Sequence, residues 1–201
     1  MQPWGALEQG QRLVVTGVSG TGKTTFASRL VASAWRVLWL DPEGELAVPG
    51  RLSLTVTELE RWPALLDDPH MRLVVWFESD DEEGQGSEVT RLVTLLMSRC
   101  RDAVVVMEEV GDYRRWAEAA INKLFRKGRK RGLVPVLCSQ VQTDLPLTAR
   151  KQATDAYLFA QVHESELNEL ERVYGTDARR RVEHAVPYRP THWVSGRGVV
   201  E

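Results

Sequence analysis

Several features are scarce in this chain, and each scarcity removes a class of explanation. No apolar stretch reaches the roughly 18 residues that a membrane-crossing helix needs, and no N-terminal signal pattern is seen. The expectation is therefore a cytoplasmic protein without membrane insertion. Only two cysteines, Cys100 and Cys138, occur in 201 residues; far apart and each beside an apolar run, they suit buried, reduced thiols and not a disulfide framework. Charge of one sign is not in excess, since 26 Lys and Arg stand against 28 Asp and Glu for a net charge of -2. Any nucleic-acid contact would have to come from local patches, or from an assembly that concentrates them. His163, His184 and His192 lack the spacing to Cys or carboxylate partners that a metal site uses, so no structural metal is expected. No internal repeat appears and no linker is long enough to divide the chain, so residues 1–201 read as a single domain.

Short apolar runs recur at Leu13–Thr16, Val37–Leu40, Leu73–Phe77, Ala103–Met107, Leu133–Cys138 and Ala156–Ala160. They are too continuously apolar for a sheet with one wet face, and stretches of helical spacing separate most of them. The pattern predicts an α/β protein with a mostly parallel sheet and helices on both faces. Helices are expected at Lys23–Ala34, Glu58–Leu66, Ser87–Arg101, Tyr113–Lys127 and Glu164–Tyr174. The acidic segment Glu78–Gly86 reads as an exposed mobile loop, and the tail from His184 onward as short antiparallel strands at a sheet edge.

The segment Gly17-Val18-Ser19-Gly20-Thr21-Gly22-Lys23-Thr24 fills every position of the GxxxxGK[ST] phosphate-binding pattern, the Walker A loop, between a predicted strand and a predicted helix. A triphosphate must be wrapped by backbone N–H groups, which only a Gly-rich turn brings close enough. Gly17, Gly20 and Gly22 supply the turn, with Ser19 and Thr21 between them. Lys23 would reach the β and γ phosphates of ATP, Thr24 would ligand Mg²⁺, Thr25 would follow at the helix start, and the helix would aim its positive end at the anion.

Further along, Val104-Val105-Val106-Met107-Glu108-Glu109 puts two carboxylates at the end of a buried strand, where a parallel sheet presents its ligand edge. The run resembles the Walker B strand of P-loop ATPases. Glu108 would hold Mg²⁺ through water, with a longer arm than the usual Asp, and Glu109 would polarise the attacking water. Adjacent strand residues point to opposite faces, so the strand must end and twist there. Gln140, at the end of the next apolar run, is the candidate sensor of the γ phosphate. In Gly128-Arg129-Lys130-Arg131-Gly132, an arginine of the loop suits a finger inserted into a neighbouring subunit's site, with Arg129, Arg131, Arg126 and Arg150 as the candidates. The segment Asp112–Trp116 and the cations between Lys123 and Arg131 are candidate DNA contacts, or exposed helix faces.

Taken in order, these motifs resemble the HerA-FtsK superfamily. Asp41-Pro42-Glu43-Gly44-Glu45 is similar to its Asp-Pro-x-Gly-Glu segment, and Gly128–Gly132, followed by a strand ending in Ser139-Gln140, to its Gly-Arg-Lys-x-Gly loop and strand-terminal Gln. Asp144-Leu145-Pro146 is similar to the segment after it. The resemblance runs from Leu13 to about Leu170. It implies a RecA-like core, Mg²⁺-dependent ATP hydrolysis, and translocation of double-stranded DNA by a homo-oligomeric ring, hexamer or pentamer, with Arg129 the matched position for a finger acting in trans. With the phosphate loop at Gly17, the β-barrel domain that precedes it in HerA and the membrane segments of FtsK and Zot-like proteins are expected to be absent. The minimal viral genome-packaging ATPases of internal-membrane icosahedral viruses resemble the chain most; that implies capsid packaging-vertex partners and a place in host cytoplasm or virion. A cellular HerA-type translocase, a nucleotide-gated virion assembly module and a P-loop kinase are the alternatives.

Overall fold

The computed structural model of the protein describes residues 3–42, 44 and 51–200. Seven strands run parallel: β1 Leu13–Thr16, β2 Val37–Leu40, β3 Leu52–Thr55, β4 Arg72–Trp76, β5 Ala103–Met107, β6 Leu133–Ser139 and β7 Asp155–Leu158. Two more, β8 Thr191–Val194 and β9 Gly198–Val200, add antiparallel at one edge. The nine-stranded sheet has the order β3-β4-β2-β5-β6-β1-β7-β8-β9. Around it lie α1 Lys23–Leu30, α2 Val56–Arg61, α3 Glu82–Arg99, α4 Val110–Lys127, α5 Leu147–Gln152, α6 Glu164–Tyr174 and α7 Thr176–Glu183. This is the mostly parallel α/β architecture with an antiparallel C-terminal extension that the hydrophobic pattern predicts.

Alternate residues along each strand divide the core in two. Val14, Leu40, Val105, Met107 and Leu137 face one cluster, shared with apolar residues of α3, α4 and α6. Leu13, Val15, Trp39, Val106, Cys138 and Phe159 face the other, shared with α1 and with Trp4 and Leu7. The second cover is thinner, and Trp4 belongs to it: its indole N–H donates to the Gly132 carbonyl at 2.7 Å. No helix among the described residues is long and apolar enough to cross a membrane.

Several local expectations need correction. The acidic segment is not a loop throughout: Asp81 caps α3 by accepting from the Gly84 N–H at 2.8 Å, and Glu82 and Glu83 sit in its first turn. Carboxylates there complement the unpaired N–H groups and the positive helix end, so a charge run that looks solvated is helix-starting. The helix expected over Glu58–Leu66 is broken at Trp62-Pro63 into α2 and a 3-10 turn, Pro63–Asp67, because Pro63 has no N–H to donate. Thr55 and Glu58 cap α2 reciprocally. The first helix stops at Leu30, four residues early, where the chain tightens and Trp35 and Arg36 turn to bond the Pro3 carbonyl. Strand β3, with two exposed residues among its four, has too little apolar signal to be expected. Glu43 and Glu45 of the Asp41–Glu45 segment lie outside the described residues.

At the start of β2 a buried cation holds three chain segments without any carboxylate. Arg36 is 8 % exposed; its guanidinium donates to the carbonyls of Arg101 at 3.1 Å, Leu66 at 2.6 Å and Asp68. Substituting Arg36→Met keeps the stem and strands these carbonyls. Loss of bonds to a charged donor is expected to lower the unfolding free energy by about 3 kcal/mol, measured as a shift in urea midpoint.

Candidate functional site

The site is built where an interior strand of the sheet, β1, leaves the core. β1 lies between β6 and β7, and its last residue, Thr16, pairs with Ser139 on one side and Leu158 on the other. Gly17 follows directly. A Cβ there would stand 2.4 Å from Phe159 Cβ, so any side chain would push the loop off β7. The Val18 N–H then donates to the Ala160 carbonyl at 3.1 Å. The loop closes on itself, because the Val18 carbonyl accepts from Thr21 Oγ1 at 2.8 Å and from Lys23 Nζ at 3.3 Å. Gly20 and Gly22 take positive φ, 76° and 97°, which an L side chain rarely adopts. Lys23 is 6 % exposed, whereas Ser19, Gly20, Thr24 and Thr25 lie open to solvent. Phe26 of α1 packs on Tyr157 and Phe159, ring centroids 4.6 and 5.7 Å away, which fixes the helix against β7.

Glu108 and Glu109 stand at the same C-terminal edge. Glu108 shares its sheet face with Val106 and Cys138, the α1 side. It is 5 % exposed, and its Oε1 is buried with no hydrogen-bond partner among the described residues. Burial first, and then the charge of Glu109, push its pKa up to about 7, against the pull of the Lys23 ammonium and a bond from the Cys138 thiol. Glu109 has φ 43° and ψ 50°, and it caps α4. The twist that must separate the two acids therefore falls on Glu109 itself, and Val110 and Gly111 already belong to the helix. Tyr113 reaches back from α4, its hydroxyl donating to the Glu108 carbonyl at 2.9 Å.

Gln140 follows Ser139 beside the loop, exposed, its carbonyl accepting from Gln161 Nε2 at 3.0 Å. Two buried glutamates organise the neighbouring loops in the same way. Glu88 of α3 accepts from the N–H groups of Glu78 and Ser79 and from the Ser79 hydroxyl. Glu166 of α6 accepts from the N–H groups of Gln142 and Thr143 and from the Thr143 hydroxyl. Neither helix looks site-related in sequence, since the bonds span 9 to 24 residues.

Arg129 is elsewhere. It sits in a 3-10 turn, Gly128–Arg131, that precedes β6, at the opposite edge of the sheet and about 20 Å from the loop at the usual strand rise. It is exposed and does not reach its own chain's site. Arg131 is engaged by the carbonyls of Ser98 and Cys100, and Arg150 is buried against Glu169. Arg126 stays exposed in the last turn of α4. Of the candidate DNA segment, Tyr113 is fully buried, and Arg114 is held by the Thr143 carbonyl and by Glu118 at 3.7 Å. Arg115 lies over the Trp116 ring, 5.2 Å from its centroid, and both are exposed.

Two contributors escaped the sequence reading. Asp41, buried at the end of β2, raises the pKa of Glu108, while the Glu108 N–H donates to Leu40; a strand-end acid next to the acidic strand was the available signal. Cys138 reads as a small hydrophobe, yet its thiol faces Glu108. The residues present fit Mg²⁺: a buried carboxylate oxygen lacking a partner faces a lysine-bearing loop whose Thr24 hydroxyl is open, and Mg²⁺ retains waters that such a carboxylate can hold.

No family model matches the sequence, and no curated protein matches it. Solved structures do. The genome packaging NTPase B204 from Sulfolobus turreted icosahedral virus 2, in complex with sulfate, superposes with a TM-score of 0.73 at 16% identity over 97% of this chain and 96% of that one. Its complex with ATP-gammaS gives 0.71 at 16% identity over 96% and 97%. A part of Thermomonospora curvata EccC, ATPases 2 and 3 with a signal sequence peptide, gives 0.58 at 17% identity over 95% of this chain and 37% of that chain. The likeness to B204 spans both chains and establishes a shared P-loop NTPase fold.

Burial pushes the thiols of Cys100 and Cys138 up, Cys138 well above its ordinary value. Neither is expected to react with Ellman's reagent at pH 8 in the native protein, and both should react in guanidinium; prompt native labelling would show that the Glu108 pocket is open.

Proposed function

We propose that the chain is an Mg²⁺-dependent ATPase that translocates double-stranded DNA as a homo-oligomeric ring, of the genome-packaging type. The observation that carries this is the placement of Lys23, the buried Glu108 and the adjoining Glu109 at one sheet edge, with a full-length fold shared with a genome packaging NTPase. The N–H groups of residues 19–25 would wrap the phosphates and Lys23 would bridge to the terminal one. Thr24 and Glu108 would hold Mg²⁺, which when bound spreads the charge of the β- and γ-phosphates. Glu109 would accept a proton from water as the water oxygen bonds the γ phosphorus and the bond from that phosphorus to the ADP oxygen breaks. Gln140 orients that water or the γ phosphate.

Arg129, solvent-facing and an entire strand length from its own loop, suits delivery to a neighbour's phosphates, where a planar guanidinium can bridge the oxygens as charge develops. A cis role has no geometric support. A packaging vertex of a capsid and a virion or host-cytoplasm location belong to the same reading. Exposed Arg115 and Trp116 are the candidates for DNA contact; Arg114 is occupied.

Steady-state ATP hydrolysis with and without duplex DNA tests the reading. Duplex should stimulate turnover; Lys23→Ala should abolish nucleotide binding, and Glu109→Gln should retain binding while turnover drops about a hundredfold or more. Arg129→Ala should fall by about a thousandfold, yet regain activity when mixed with the Glu109→Gln chain, whose finger is intact. Turnover indifferent to DNA would sink the motor; a mixture as inactive as its components would sink the trans finger.

A further inference from the structure

After α7 the chain runs back over the phosphate loop. The Tyr188 N–H donates to the Thr21 carbonyl at 2.9 Å, and its ring lies against Gly22: a Cβ on that glycine would stand 2.4 Å from Tyr188 Cδ1 and 2.9 Å from Cε1. The ring is nonetheless no part of the core, since Tyr188 is 64% exposed. One edge of an aromatic side chain is thus pinned to the loop while most of its surface is offered to solvent.

The backbone there is in an unfavourable state. The Arg189 N–H donates to the Val186 carbonyl at 3.3 Å, closing a turn with Pro187 second and Tyr188 third. Tyr188 has φ 63°. A turn with Pro second and positive φ third is type II, whose third position ordinarily belongs to Gly or Asn. A bulky residue in that region is an outlier, and such strain persists where the surroundings use the side chain for something besides stability.

Location says what for. Lys23 lies toward Glu108, on the β5 and β6 side of the loop. A triphosphate with its terminal phosphate facing that acid must lead its nucleoside the other way, past β7 and β8. The strap arrives on that side: Thr191, three residues beyond Tyr188, pairs with Leu158 at the C-terminal end of β7. Val162 and Val186, 70% and 55% exposed, follow and precede it on the same edge.

We propose that Tyr188 is the nucleobase platform of this site: the base stacks on its ring, so that the C-terminal strap holds the nucleoside half of the nucleotide whose phosphates the loop holds. This rests on the reading of the chain as a nucleoside triphosphatase. Aromatic stacking is tolerant of base identity, so purine triphosphates should bind alike.

Calorimetric titration with AMPPCP and with inorganic tripolyphosphate separates the two halves. Tyr188→Ala and Tyr188→Gly should weaken AMPPCP about tenfold or more and leave tripolyphosphate affinity unchanged, while Tyr188→Phe keeps both. Tyr188→Gly, which relieves the turn, should not lower the melting temperature, whereas a merely structural tyrosine would. Unchanged AMPPCP affinity in Tyr188→Ala, or an equal loss for tripolyphosphate, would overturn the assignment with the ATPase reading intact. Failure of the unsubstituted protein to bind either probe would overturn both.

Discussion

The site depends on one close approach. Gly17 leaves β1 so near Phe159 that only a hydrogen fits, and the next N–H is taken by Ala160. The loop is therefore an extension of the β1–β7 ladder and not a free connection. Its Val18 carbonyl, turned inward, accepts from both Thr21 and Lys23 and so ties the start of the loop to the start of α1. The packing of Phe26 on the same strand sets the direction of α1, and with it the dipole aimed at the site.

Around this fixed loop the other strand ends are governed by long-range carboxylates. Glu88 and Glu166 are each buried, but each is satisfied by backbone N–H groups, so neither incurs the cost of an unpaired charge. Glu108 lies at the same edge with an oxygen left over. The contrast lies in the bonding: Glu88 and Glu166 are satisfied by the loops they hold, whereas Glu108 keeps one oxygen without a partner among the described residues, and burial raises its pKa.

The fold class, the strands around the site and the phosphate loop were legible because each is written locally: period, apolar continuity and a filled motif. Helix α6 was placed to the residue, since its apolar stripe is undiluted. The acidic start of α3 was misread because capping and solvation use the same residue types, and only the Asp81 bond to Gly84 distinguishes them. β3 was invisible because an edge strand with half its residues exposed has little pattern. The placement of Glu108, Glu109 and Gln140 at strand ends was legible from the apolar runs before them; Asp41 was seen only as part of a motif, and Cys138 only as core. The contributions of Glu166 and Tyr188 arise from contacts across 23 and 167 residues, which no local pattern encodes.

Strand β6 has a mechanical consequence. It carries Gln140 just past one end and the Arg129 turn just before the other; every strand residue is buried, Leu133–Leu137 paired with β5 and Val136–Ser139 with β1. Such a strand behaves as a stiff rod. In a ring that seats Arg129 on the next subunit's phosphates, a tilt of about five degrees at one end of a rod of about 20 Å moves the other by an ångström or two. That is enough to make or break a guanidinium hydrogen bond. Firing order around such a ring would then be set by the rigidity of a sheet, with no flexible relay between sites.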